Sequence, residues 1–309
     1  MQNIPFQKDH FSPLILGTVQ LGMLYGISNR SGQPSRKDGI DMVKYAFDRG
    51  INTFDTAREY GTSESVIAEA QKMQQNRMQV ITKFRINPAH EERLEKVWVE
   101  VLAIVQESLK VLDTPKATGI LFHRSPLNNL ESVMKILPTI IRRLKEMGLA
   151  DYGGLSAHYP EDASWAIQEE ELQIIQVPCN LFDHRFLNMV PQGRLANKLV
   201  IARSIFLQGL FFLEPDALEG PMKVVREPLR RLHEIAEETG LSIAKLAVSF
   251  IRDQPQVDCL VIGALNQAQI SQNIKWIKQP MIDRTVRDKI REVFSEMDHF
   301  IVTPALWPQ

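Results

Sequence analysis

Cysteine is scarce in this sequence. There are two in 309 residues, Cys179 and Cys259, and no C-x-x-C pair. That argues against a disulfide framework or a thiolate metal site and suits a reducing compartment. Both read as core residues of separate strands. An excess of one charge is also missing: 36 basic against 37 acidic residues leave a formal net charge of −1. Neither a nucleic-acid footprint nor a polybasic membrane anchor follows from that balance. The local cluster Arg142, Arg143, Lys145 reads as the wet face of a helix. Apolar runs such as Cys259–Leu265 fall far short of the roughly 20 residues of a bilayer span. The N-terminal MQNIPFQKDHFSP shows no apolar signal core, so a cytoplasmic protein is expected. Three nucleotide and metal motifs are absent as well: G-x-G-x-x-G, Walker A and H-E-x-x-H. Their absence weakens an open dinucleotide-binding sheet, P-loop chemistry and zinc proteolysis. No metal ligand is expected.

What the chain does have is alternation. Eight short apolar runs recur: Leu14–Gly17, Thr53–Asp55, Val80–Lys83, Gly119–His123, Gly153–Ala157, Ile174–Val177, Leu199–Ser204 and Leu260–Gly263. Amphipathic stretches separate them: Arg36–Arg49, Glu64–Gln71, Leu94–Leu112, Leu130–Met147, Pro160–Glu169, Pro228–Glu238, Ser242–Arg252, Gln267–Ile277 and Ile282–Met297. The runs are continuously apolar, as strands covered on both faces must be. Eight β/α units predict a closed (β/α)8 TIM barrel of class α/β, with residues 1–309 forming one domain. Glu214–Met222, broken by Pro215, Gly220 and Pro221, is expected to be an irregular loop.

A barrel of this kind builds its site from the C-terminal strand ends and the loops beyond them. Asp55 ends the second run and Tyr60 follows in the next loop. Lys83 ends the third run and His123 the fourth. Each has an ordinary explanation when taken alone: a turn former, a loop aromatic, a snorkelling lysine, a satisfied histidine. Four such groups on neighbouring strand ends are harder to dismiss together. A phenol loses its proton near pH 10, and a nearby ammonium is expected to lower that. A carboxylate would hold the ammonium, and an imidazole could orient a carbonyl oxygen. A phenol tuned in this way suits proton delivery to a developing alkoxide, with hydride coming from a cofactor.

The stretch GINTFDTAREYGTSE (Gly50–Glu64) resembles the signature of the aldo-keto reductase family. ITKF (Ile81–Phe84) and LFHRSP (Leu121–Pro126) are similar to the segments that hold that family's lysine and histidine. The likeness runs in order from LGTVQLG (Leu16–Gly22) to VIGA (Val261–Ala264). It implies a tetrad of Asp55, Tyr60, Lys83 and His123. It also implies a nicotinamide cofactor. GLSAH (Gly154–His158) and IIQVP (Ile174–Pro178) place Ser156 and Gln176 at the carboxamide, with Ala157 where the family usually has Asn. SIFLQGL (Ser204–Leu210) is similar to the pyrophosphate loop, implicating Ser204, Phe206, Gln208 and Gly209. Arg203 stands where an aromatic ring often stacks on the nicotinamide. IGALNQAQISQN (Ile262–Asn273) resembles the adenosine clamp, implicating Gly263, Asn266, Gln269, Gln272 and Asn273. The family default is NADP(H). Gly263 and Gln269 stand where basic residues are common, so NAD(H) stays open.

The expected function is interconversion of a carbonyl and an alcohol, with a small polar aldehyde, ketone or sugar-like substrate. His158, Arg58 and Arg124 are expected near the mouth, as solvated rim groups or as binders of an acidic substrate. The tail Ile301–Gln309 would bring Trp307 over the mouth or onto the outer wall. Two other readings remain: a cofactor-sensing regulatory subunit of an ion channel, and a barrel enzyme using Lys83 as a Schiff base. The sequence leaves the oligomeric state open.

Overall fold

Eight parallel strands close into a barrel in the computed structural model, which describes residues 1–189 and 197–308. Two short strands come first: β1 (Ile4–Phe6) and β2 (Asp9–Phe11), an antiparallel hairpin. The barrel strands are β3 (Leu14–Gly17), β4 (Thr53–Asp55), β5 (Gln79–Phe84) and β6 (Ala117–His123). They continue with β7 (Ala150–Ser156), β8 (Ile174–Pro178), β9 (Leu199–Arg203) and β10 (Cys259–Gly263). Neighbours follow chain order, and β10 closes the ring against β3. Every residue of β3 and β4 is buried, which accounts for the unbroken apolar runs.

The intervening helices turn one apolar stripe inward. Arg36–Asp48 buries Ile40, Val43 and Ala46 at helical spacing, and Ser35 caps it by accepting from the Asp38 amide. Leu94–Val111 buries Val97, Val101, Val105 and Leu109. Gln267–Lys278 starts at Asn266, whose side chain accepts from the Gln269 amide.

The hairpin was not foreseen from sequence. Phe6 and Phe11 pack against Tyr152, with ring centroids 5.3 and 6.1 Å away, and are buried with interior strand residues such as Ile15 and Ile201. Strands this short give almost no periodic signal. Several boundaries also shift. β7 stops at Ser156, one residue early. β9 stops at Arg203, because Ser204 turns left-handed at φ 61°. The expected helix Ile282–Met297 contracts to Arg284–Val293. The expected irregular loop Glu214–Met222 forms 3₁₀ turns, Pro215–Ala217 and Gly220–Val225. In the tail, Trp307 is buried and its indole N–H donates to the Phe300 carbonyl at 2.8 Å. Gln309 lies outside the described residues.

Candidate active site

Adjacent strands deliver Asp55, Lys83 and His123 to one rim. Asp55 sits in register with Gly17 and Ile81, Lys83 with Leu121, and His123 with Ser156. Lys83 Nζ donates to Asp55 Oδ1 at 2.8 Å, to Asp55 Oδ2 at 2.7 Å and to the Thr56 carbonyl at 2.9 Å. The side chains are only 1% and 6% exposed, so the pair is buried and its charges are mutually compensated. Gln176 Nε2 donates to Asp55 Oδ1 at 2.7 Å from the far side of the barrel.

Tyr60 is held by its loop. The Thr56 amide donates to the Ile81 carbonyl, the Tyr60 amide to Ala57, and the Ser63 amide back to Tyr60. Ser63 Oγ lies 2.6 Å from Thr18 Oγ1 and 2.9 Å from Thr56 Oγ1. Buried Glu64 accepts from Thr82 Oγ1 at 2.8 Å and from Arg58 Nη1 at 2.6 Å. Gly22 and Gly61 let the backbones touch. A Cβ on Gly22 would stand 1.7 Å from the Tyr60 carbonyl oxygen, and one on Gly61 2.2 Å from the Gly22 oxygen.

Lys83 Nζ lies 5.3 Å from the Tyr60 ring centroid. The expected lowering of the phenol's pKa does not result. Burial, and next the Asp55 carboxylate, push Tyr60 well above the usual phenol value, with Arg203 opposing them. Lys83 has spent its charge on Asp55. Burial likewise pushes the Lys83 ammonium down, and Asp55 resists that shift. His123 is lowered mainly by burial, with Glu59 opposing. Its Nδ1 is 3.7 Å from Glu59 Oε2, too long for a hydrogen bond but close enough for charge attraction. Both shifts favour the uncharged forms, a protonated phenol and a neutral imidazole.

Three nearby groups escaped the sequence reading. Glu59 bonds Arg85 Nε at 2.7 Å, and Tyr25 is pushed up by burial and next by Tyr60. Adjacency to Tyr60 and Lys83 was the available signal for Glu59 and Arg85. Tyr25 is remote in sequence and carried none.

The residues implicated in cofactor binding fall into three groups. Ser156 and Gln176 are fully buried, and Ser156 Oγ donates to Gln176 Oε1 at 3.1 Å. Ser204, Leu207, Gln208 and Gly209 all have positive φ, making a tightly coiled loop beyond β9. A Cβ on Gly209 would meet Ser28 Oγ at 1.9 Å, while the Ile27 amide donates to the Gln208 carbonyl at 3.0 Å. Phe206 packs edge-on to Phe212 and Trp276. At the third place, Gln269 Oε1 accepts from the Leu265 amide at 2.7 Å, and Asn273 Nδ2 donates to the Gly263 carbonyl at 3.4 Å. Gln272 lies one residue from Asn273 on the same helix. Buried Gln20 Oε1, 2.3 Å from where a Gly263 Cβ would stand, has no hydrogen-bond partner among the described residues.

Of the expected rim groups, Arg58 pairs with Glu64 and Arg124 with Asp162. His158 is pushed down to about 4 by burial and next by Arg203. No group of three or more candidate metal-binding side chains occurs among the described residues. A cavity of about 190 Å³ lined by Ile67, Met78, Val80 and Thr118 lies at the opposite end of the strands, away from this chemistry.

Fold and site together define a (β/α)8 barrel carrying an Asp–Lys–Tyr–His cluster at its mouth. The sequence profile of the aldo/keto reductase family matches residues 13–293, and the chain belongs to that family. A putative voltage-gated potassium channel subunit beta of Schizosaccharomyces pombe is 23% identical, covering 94% of this chain and 93% of that protein. An aldo-keto reductase of Bacillus halodurans, solved in its holo form, superposes with a TM-score of 0.76 at 17% identity, covering 95% and 96% of the two chains. A Klebsiella pneumoniae aldo/keto reductase, solved in complex with NADP and acetate, gives a TM-score of 0.69 at 16% identity, covering 95% of each.

Proposed function

We propose that the protein reduces a small carbonyl compound to an alcohol, with Tyr60 as proton donor. The observation that carries this reading is the buried Asp55–Lys83 pair set 5.3 Å from the Tyr60 ring, with His123 on the next strand. A general acid must hold its proton until the oxygen becomes basic. Burial and Asp55 keep Tyr60 protonated in the resting site, the form that can donate to a developing alkoxide. Asp55 fixes Lys83, Lys83 offers a cation when phenolate forms, and neutral His123 can donate to the carbonyl oxygen. The three hydrogen bonds on Lys83 Nζ leave no free lone pair for a Schiff base.

The donor set fits a nicotinamide dinucleotide. A serine hydroxyl and a glutamine amide suit a carboxamide, for which Ser156 and Gln176 would exchange their present bond. The loop Ser204–Gly209, with positive φ at Ser204, Leu207, Gln208 and Gly209, would offer backbone amides to a pyrophosphate. Asn266, Gln269, Gln272 and Asn273 would serve the adenosine end, beside a helix N-terminus that favours phosphate. When bound, the cofactor supplies the hydride that no side chain can. We assign NADP(H), supported by the NADP named with the Klebsiella protein. Fluorescence titration of both nicotinamides checks this; tighter NADH binding would reverse the assignment.

Tyr60→Phe tests the reaction. Turnover should fall by roughly 100- to 10,000-fold, the usual worth of general acid catalysis, with cofactor affinity nearly kept. Wild-type turnover in this variant would remove Tyr60 from its role. The relatedness to a channel β subunit favours a second reading, a cofactor-binding regulatory subunit. Cofactor binding without turnover on any carbonyl of a broad panel would favour that one.

A further inference from the structure

We propose that Arg203 recognises an oxyanion, so that the substrate is a carbonyl compound carrying a carboxylate or phosphate; this rests on the carbonyl-reducing reading above. The charge pattern at the mouth leads to it. Lys83 pairs with Asp55, Arg85 with Glu59, Arg58 with Glu64, Arg124 with Asp162, and Arg185 with Asp183. Each of these cations has a carboxylate. Among the described residues, no ion pair includes Arg203. Its Nη1 donates to Ser204 Oγ at 3.1 Å and its Nη2 to the Ala157 carbonyl at 2.9 Å, both neutral acceptors. Its Nε is buried and has no hydrogen-bond partner among the described residues.

Those contacts fix the guanidinium between the ends of β7 and β9, on the rim that carries Ser156 and His123. One hydrogen on each terminal nitrogen remains uncommitted. From that rim its charge reaches Tyr60, Lys83, His123, Tyr25 and His158. Arg203 thus differs from these five cations in having no carboxylate beside it among the described residues. A part-buried cation without a counterion is costly, and an incoming oxyanion removes that cost. A guanidinium fork also matches carboxylate and phosphate geometry better than an ammonium does.

The test compares each oxyanion with a neutral mate. With NADPH, kcat/KM is measured for succinic semialdehyde against its amide, and for glyceraldehyde phosphate against glyceraldehyde. The enzymes are wild type, Arg203→Gln and Arg203→Lys, each checked for folding by thermal melting. Wild type should prefer the anionic member of at least one pair, and which pair tells carboxylate from phosphate. Arg203→Gln should cut that preference roughly 10- to 100-fold, the worth of a charged hydrogen bond. Arg203→Lys should restore part of it. Equal loss on both members, with a shifted pH profile, would mean that Arg203 acts only on Tyr60 and would overturn the proposal. An unchanged preference with weakened NADPH binding would assign its anion to the cofactor, again overturning it. If no carbonyl reacts while cofactor binds, the carbonyl-reducing reading fails separately. Calorimetry of the cofactor-loaded protein with the hydroxy acid against its amide then decides, and equal affinity sinks the anion site.

Discussion

Replacing Lys83 by Met should unfold the protein more readily, and the structure sets the size of the effect. Lys83 Nζ makes two bonds to the Asp55 carboxylate and one to the Thr56 carbonyl, in a side chain 1% exposed. Methionine has similar length but leaves the carboxylate buried without a cation. Breaking one side of a buried pair costs roughly 3–5 kcal/mol. Asp55 keeps the Gln176 bond and can take up a proton, which puts the loss near the lower end, about 3 kcal/mol. For a chain of this size that is a fall in melting temperature of about 5 °C. Asp55→Asn on top of Lys83→Met removes the stranded charge and should recover at least half of the loss. The orphaned carboxylate has a raised folded pKa, so its folded state binds more protons than the unfolded chain. The deficit of Lys83→Met therefore shrinks as pH falls towards 5. Thermal melts of wild type and the variants over that range measure all of this. A single variant as stable as wild type, or a double variant no better than the single, would refute the account of a mutually compensated pair.

Three other outcomes follow from particular contacts. His184 is pushed down to about 4 by burial, so the folded state favours its neutral form. Its contribution is complete above pH 6.5 and is lost as pH falls towards 4, amounting to about 3 kcal/mol. Urea midpoints of His184→Gln should therefore depend less on pH across that window, and an unchanged slope would count against it. Gly22→Ala puts a methyl 1.7 Å from the Tyr60 carbonyl oxygen and 2.6 Å from the Ser63 amide nitrogen, against backbone that cannot rotate away. Activity should fall well beyond any effect on cofactor binding, and a silent variant would show that the loop yields. Gly209→Ala meets both Ser28 and a φ of +90°, so NADPH affinity measured by fluorescence should drop while the melting point falls by only a few degrees.

The barrel was legible because its strands are covered on both faces, and runs such as LILG and TFD stay apolar throughout. The hairpin β1–β2 was not, because three-residue strands have no period to detect and their worth lies in Phe6 and Phe11 meeting Tyr152 across the barrel floor. Asp55, Tyr60, Lys83 and His123 could be named from strand ends and from the likeness around Gly50–Glu64. Their charges could not be assigned. A lysine near a phenol suggested a lowered pKa, but Lys83 is bound by Asp55, whose own charge raises Tyr60. Pairing of that kind is a property of space and not of spacing. The same holds for Glu59, whose partners are Arg85, just past β5, and His123 at the end of β6.

The bond from Gln176 to Asp55 has a mechanical meaning. In a ring of eight strands β4 and β8 stand opposite one another, so this 2.7 Å contact ties the two ends of a diameter. Ser156 extends the tie on one side and Lys83 on the other. A mouth braced in this way resists becoming oval, since widening it would break a hydrogen bond to a buried carboxylate. Accommodation of larger ligands is thereby left to the loops above the rim, such as those holding Tyr25 and Gln208, while the floor beneath the reacting atoms keeps one shape.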